Sequence, residues 1–156
     1  MRYVFDSDSL INLFRHYYPE RFPTLWRRFD ALVSDGRLVS VREVFNEIGS
    51  RDDLLGTWAK EQKPRLFTPS TVEELEFVLE IFKVAHFQAM IRKKERLKGK
   101  PVADPFVIAR AKVLGASVVT EEKVAENAAK IPNVCKHFEV PCTNLEGFMA
   151  GEGWTF

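Results

Sequence analysis

Continuous apolar runs alternate along the chain with apolar stripes at helical spacing. Tyr3-Val4-Phe5 is the first run. It breaks at Asp6 and the polar cluster Ser7-Asp8-Ser9, and Leu10, Leu13 and Phe14 then return three and four residues apart. The pattern predicts a short buried strand at 3 to 5 and a helix from 7 to 16, closed by Pro19. From Phe22, the stripe Leu25, Trp26, Phe29, Leu32 and Val33 predicts a second helix with Gly36 as its stop. Residues 37 to 41 (RLVSV) predict a second strand. Val44, Phe45 and Ile48 mark one face of a helix ending near Gly49.

Residues 52 to 60 predict a short helix with Leu54, Leu55 and Trp58 inward. Residues 71 to 85 predict a longer one. There Thr71 caps, Glu74 completes a capping box, and Val72, Leu75, Leu79 and Phe82 form the inward face. A helix at 103 to 115 ends on Gly115, and 116 to 120 (ASVVT) is a third strand. A helix at about 122 to 130 ends before Pro132, 139 to 142 (EVPC) forms a last strand, and 144 to 150 a closing helix. Short strands alternating with helices specify an α/β fold with a parallel sheet. No internal repeat or linker divides the chain, so residues 1 to 156 are expected to form one domain.

Composition narrows this picture. Hydrophobic residues make up 46% of the 156, with 13 Phe, which supplies a substantial core. The net charge of +1 gives no whole-molecule attraction for nucleic acid, so any steering must come from local patches. Cys135 and Cys142 match no zinc spacing and are too few for a disulfide framework. Reduced thiols, no signal-peptide pattern and no apolar stretch of roughly 20 residues lead to an expectation of a cytoplasmic protein with no membrane association.

The chemistry lies in the acids. Sites in open parallel sheets form at the carboxyl ends of the strands. Asp6 follows the first strand. Glu47 lies on the helix after the second, with Glu43 one turn earlier on the same face. Asp104 opens the helix DPFVIARA, and Glu121 and Glu122 follow SVVT. Asp6, Asp8 and Asp104 each also suit a helix N-cap, and Pro105 favours that for Asp104. Caps need not lie together, however, whereas acids at neighbouring strand ends converge. Converging carboxylates raise one another's pKa, and a divalent cation removes that cost. Oxygen ligands without a supporting His or Cys set favour Mg²⁺ or Mn²⁺ over zinc, and such sites perform phosphoryl chemistry. His16, His86 and His137 are scattered and read as structural or surface residues.

VFDSDSLI, EVFNEI, ADPFVIARA and VVTEEK, in this order and spacing, resemble the PIN domain superfamily. The resemblance covers nearly the whole chain. It is greatest to PIN-like proteins related to the toxin nucleases of bacterial and archaeal toxin–antitoxin pairs, and YYPERFPTLW (17 to 26) shares that likeness. It implies a three-layer α/β/α fold with a central parallel sheet of four to five short strands. It also implies a Mg²⁺- or Mn²⁺-dependent ribonuclease, an RNA substrate, an antitoxin protein encoded by a neighbouring gene, and room for a homodimer. The catalytic and metal-binding acids it implies are Asp6, Glu47, Asp104 and Glu122. Glu122 stands where the family more often has Asp. Ser7 matches the small hydroxyl residue after the first Asp, Asp8 is an extra acid, and Glu43 is the alternative to Glu47.

Six cations, Arg92, Lys93, Lys94, Arg96, Lys98 and Lys100, precede Asp104. They suit RNA phosphates, and equally a solvated surface. Two rival functions fit part of the pattern. VFDSDSL matches the D-x-D start of aspartate-nucleophile phosphatases, with Asp6 phosphorylated, Asp8 as acid/base and Thr120 in the second motif. The other rival is a non-catalytic PIN-like RNA- or protein-binding module that uses the acids structurally.

Overall fold

The computed structural model describes residues 1–90 and 102–156. The basic run from Arg92 to Lys100 lies outside the described residues. Five strands form one sheet: β1 (Tyr3–Phe5), β2 (Leu38–Val41), β3 (Phe67–Thr68), β4 (Ser117–Val119) and β5 (Cys142–Thr143). The order is β3-β2-β1-β4-β5, and all four pairings are parallel. Register runs Tyr3 opposite Leu38 and Ser117, so β1 is central and its two neighbours end beside it. The chain moves outward through β2 and β3, then returns to the other side of β1 for β4. That reversal leaves a crevice at the carboxyl ends of β1 and β4.

Helices among the described residues include α1 (Ser7–His16), α2 (Pro23–Ser34), α3 (Arg42–Ile48), α4 (Leu54–Leu66), α5 (Val72–Lys83), α6 (Asp104–Leu114), α7 (Ile131–His137) and α8 (Leu145–Gly151), with a 3-10 turn at Ala85–Gln88. Period-two alternation in β1 sends Tyr3 and Phe5 to one side of the sheet. There Phe5 meets Phe29 of α2 and Phe148 of α8 edge-on at 5.4 and 5.0 Å, and Trp58 of α4 joins them. Helix α6 packs on β1, β2 and β4 and carries α5 and α7 beside it. The result is the expected α/β architecture, a parallel sheet flanked by helices. Phe5, Phe29 and Phe148 are fully buried, each contributing about 1.5–3 kcal/mol of transfer free energy.

Several elements depart from the sequence expectation. The predicted helix at 122 to 130 does not form, and that segment is irregular. Its ties go to side chains instead: Glu122 Oε2 accepts from Ile131 N at 3.0 Å, and Asn133 bonds both backbone groups of Ala125. Pro132 starts α7 rather than ending a helix, because a first-turn residue needs no N–H donor. β5 begins at Cys142 rather than 139, since Glu139 adopts a left-handed φ of 57° and turns the chain. Helix α4 runs on to Leu66 through Pro64, and the two-residue β3 directly follows it. Gly36 and Gly115, with φ of 72° and 66°, do end their helices as the sequence implies.

The largest correction concerns α5. The inward face is Glu74, Val78 and Ile81, while Val72, Leu75 and Leu79 are exposed. Both stripes have helical spacing, so periodicity could not choose between them. The buried Arg110 on α6 decides. Its Nη2 lies 2.9 Å from Glu74 Oε1, and this pairing turns the Glu74 edge inward. Leu54, expected inward, is 64% exposed at the start of α4.

Candidate metal centre

Asp6 sits directly after β1 and caps α1. Its Oδ1 accepts from Ser9 N at 2.8 Å, and Oδ2 accepts from Thr120 Oγ1 at 2.5 Å. Thr120, just past β4, in turn accepts from Glu122 N at 3.1 Å. The first two residues beyond the central strands are therefore bonded across the crevice. Asp6 is 2% exposed, and burial pushes its carboxyl up to about 7 from an ordinary 3.8, against the lowering effect of the Thr120 and Ser9 hydrogen bonds; the neighbouring Asp8 adds to the rise.

Asp6, Glu47 and Asp104 line one cleft of about 320 Å³, together with Ser7, Asp8 and Arg51. Ser7 Oγ donates to Glu47 Oε1 at 2.5 Å, tying α1 to α3. Glu43 does not line this cleft. It is buried, its Oε2 faces Arg42 at 3.4 Å, and its Oε1 has no hydrogen-bond partner among the described residues. Asp104 is buried in the first turn of α6, with Ala103 at the cap position, so the N-cap expectation for Asp104 is not met. For Asp6 it is met, alongside its place in the cleft.

Glu122 takes a different position from the other three. It lines an adjoining groove with Asp8, Asn12, Arg15, Arg51 and Glu121, while its Oε2 caps α7. Glu121 Oε1 similarly accepts from Leu145 N at the start of α8. Oxygens of Asp6, Asp8 and Glu122 all lie within 4.8 Å of one another. Asp8, an extra acid in the sequence pattern, thus belongs to the tightest trio among the described residues. Its signal was available: Asp8 lies two residues after Asp6, on the turn that leaves β1. Thr120 was visible only as a residue after SVV, and Arg15 and Arg51 as ordinary surface cations.

The donor set suits a hard divalent cation. It offers carboxylate oxygens without thiolate or imidazole, one of them buried at a cost that a cation would relieve. No helix among the described residues is long and apolar enough to cross a membrane.

A search of curated proteins finds no match. Among solved structures, the protein is similar to one described as VapBC2 from Rickettsia felis bound to a DNA fragment from their promoter. Identity is 12% and the TM-score 0.48, over 92% of this chain and 98% of that chain. A family model described as a domain of unknown function, DUF4411, matches residues 3–156, and the chain therefore belongs to that family.

Proposed function

We propose that the protein is a divalent-metal-dependent ribonuclease of PIN-like type, acting as the toxin of a toxin–antitoxin pair whose antitoxin is encoded nearby. The observation that carries the reading is the convergence of carboxylates from separate chain segments at the reversal point of the sheet. Asp6, Asp8 and Glu122 gather within 4.8 Å, and Glu47 and Asp104 share the cleft with Asp6 and Asp8. The ordered motifs support the nuclease and toxin assignment by resemblance.

Asp6, Asp8 and Glu122 are the residues that would hold Mg²⁺ or Mn²⁺ most closely, with Glu47 and Asp104 acting from the cleft. When bound, such an ion lowers the pKa of a water and stabilises the leaving oxygen of a phosphodiester. The protein groups hold their positions for this. Thr120 and the Ser9 N–H fix both oxygens of Asp6, and Ser7 fixes Glu47. Such fixed partners matter because supporting residues of a metal site typically change affinity or activity by about 10–100-fold.

The test is cleavage of single-stranded RNA by purified protein with Mn²⁺, which EDTA should stop. Cleavage that continues unchanged in EDTA refutes the metal reading. Asp104→Asn should lose cleavage and show a smaller Mn²⁺-induced rise in melting temperature than wild type, because an ion that binds only the folded state stabilises by mass action. Full activity and a full shift in that variant would leave Asp104 outside the site. Glu122→Gln should fold like wild type, since the amide oxygen can still cap α7, while cleaving RNA less and gaining less from Mn²⁺. Charge reversal across Arg92, Lys94 and Arg96 should weaken RNA binding and flatten its dependence on salt; an unchanged slope would make the run ordinary solvated surface.

A further inference from the structure

Beside the acid cleft lies a second concavity, of about 290 Å³, between α1 and the start of α4. Its wall is mostly apolar, from Ile11, Phe14, Leu54 and Leu55, with Asp53 also lining it. Arg15 and Arg51 stand at its edge. Leu54 is 64% exposed, which costs solvation with no gain inside the fold. Phe14 is half-buried, with its ring supported from behind by Trp26 at 4.3 Å and Trp58 at 5.4 Å, so its position is rigid. Three concavities meet here. Ile11 and Arg51 line the apolar pocket, the acid cleft and the groove of Asp8 and Glu122, and Arg15 lines the pocket and the groove.

We propose that this pocket holds a nucleobase of single-stranded RNA, with Arg15 and Arg51 gripping the phosphate that leads from it into the acid cleft. The inference rests on the nuclease reading and gives it a substrate-positioning subsite. Phosphate approaching a cluster of carboxylates is repelled, and cations at the mouth of the cleft offset that repulsion. Arg51 is aimed by Asp53, whose Oδ2 accepts from Nε and Nη2 at 3.0 and 2.9 Å. Asp53 is itself fixed as the N-cap of α4 through Gly56 N at 3.0 Å. The guanidinium thus has a set position between an apolar wall and an acidic one, the polarity order of a nucleotide read from base to phosphate. Apolar and aromatic surface accepts any base by its face, so the subsite should be tolerant of sequence.

The experiment is equilibrium binding of fluorescein-labelled single-stranded RNA octamers, with Ca²⁺ replacing Mn²⁺, to wild type, Arg15→Gln and Leu54→Ser. Both residues are exposed, so both variants should fold, and a melting curve of each checks this. Each substitution should weaken binding roughly tenfold. Arg15→Gln should also lower the salt slope by about one phosphate contact, whereas Leu54→Ser should leave it unchanged. Octamers with one abasic nucleotide at successive positions should reveal one position that weakens wild type and not Leu54→Ser. If both variants bind within twofold of wild type and no abasic position matters, the pocket is not a base subsite, and a protein side chain becomes its occupant. Absence of any RNA binding by wild type overturns it equally. Mn²⁺-dependent cleavage by wild type, followed in parallel, separates the two ideas. Its absence with Arg15- and Leu54-dependent binding intact refutes only the nuclease reading, and its presence with indifferent variants refutes only the pocket.

Discussion

Asp6→Asn is expected to eliminate Mn²⁺-dependent RNA cleavage, a loss of roughly 10²–10³-fold or more, while raising the melting temperature of the metal-free protein. The activity loss follows from position. Asp6 belongs both to the tight trio with Asp8 and Glu122 and to the cleft with Glu47 and Asp104. The stability gain follows from burial. The folded-state carboxyl is raised to about 7 from 3.8. Between those values the folded protein retains a proton that the unfolded chain has released, so metal-free stability falls as pH rises through the window. Relative to acid below 3.8, the loss above pH 7 is at most about 4 kcal/mol. Asn does not titrate, and it can still accept from Ser9 N and meet the Thr120 hydroxyl. At pH 8 without metal the variant should melt roughly 5–10 °C above wild type, with less than half that gain at pH 5. Thermal melts at both pH values with EDTA, beside a cleavage assay with Mn²⁺, measure the two effects. A variant that cleaves RNA like wild type would remove Asp6 from the chemistry, and an equal melting difference at pH 5 and 8 would contradict the buried-carboxylate account.

Arg110→Met is expected to destabilise the fold by about 3–5 kcal/mol without touching the acid cleft. Arg110 is 4% exposed and Glu74 2%. The guanidinium bonds Glu74, the carbonyls of Ser40 and Pro69, and the Thr68 hydroxyl, the last at 2.7 Å. It therefore joins α6 to the ends of β2 and β3 and to α5. Methionine fills much of the volume but leaves the Glu74 charge buried and uncompensated. Glu74→Gln in the same chain should recover part of the loss. The amide removes the charge and can still complete the capping box, in which Thr71 N now donates to Glu74 Oε1 at 3.1 Å. Urea unfolding of the two single variants and the double variant gives the coupling. Additive losses would show that the pair is not a unit.

Much was legible from local pattern. Tyr3-Val4-Phe5 ending at Asp6, the stripe from Leu25 to Val33 stopped by Gly36, and the helix ended by Gly115 form as read, because each depends on a continuous run or on a residue with one conformational role. Asp6 follows β1 and Asp104 opens α6 on the side of the parallel sheet that chain order predicts, while Glu47, in the last turn of α3, reaches the same cleft where α3 is tied to α1 through Ser7. Tertiary structure decided what local pattern leaves degenerate. Helix α5 offered two apolar faces, and Arg110, 36 residues away from Glu74, selected the one containing a carboxylate. Pro132 could end a helix or begin one, and the Glu122 carboxylate at Ile131 N made it a beginning. Asp8 and Glu122 gained their closeness from β4 returning beside β1, a pairing between residues more than a hundred positions apart. Hydrophobic periodicity carries information over one or two turns of chain, whereas these choices were made by charges and hydrogen bonds that meet only after the sheet has closed.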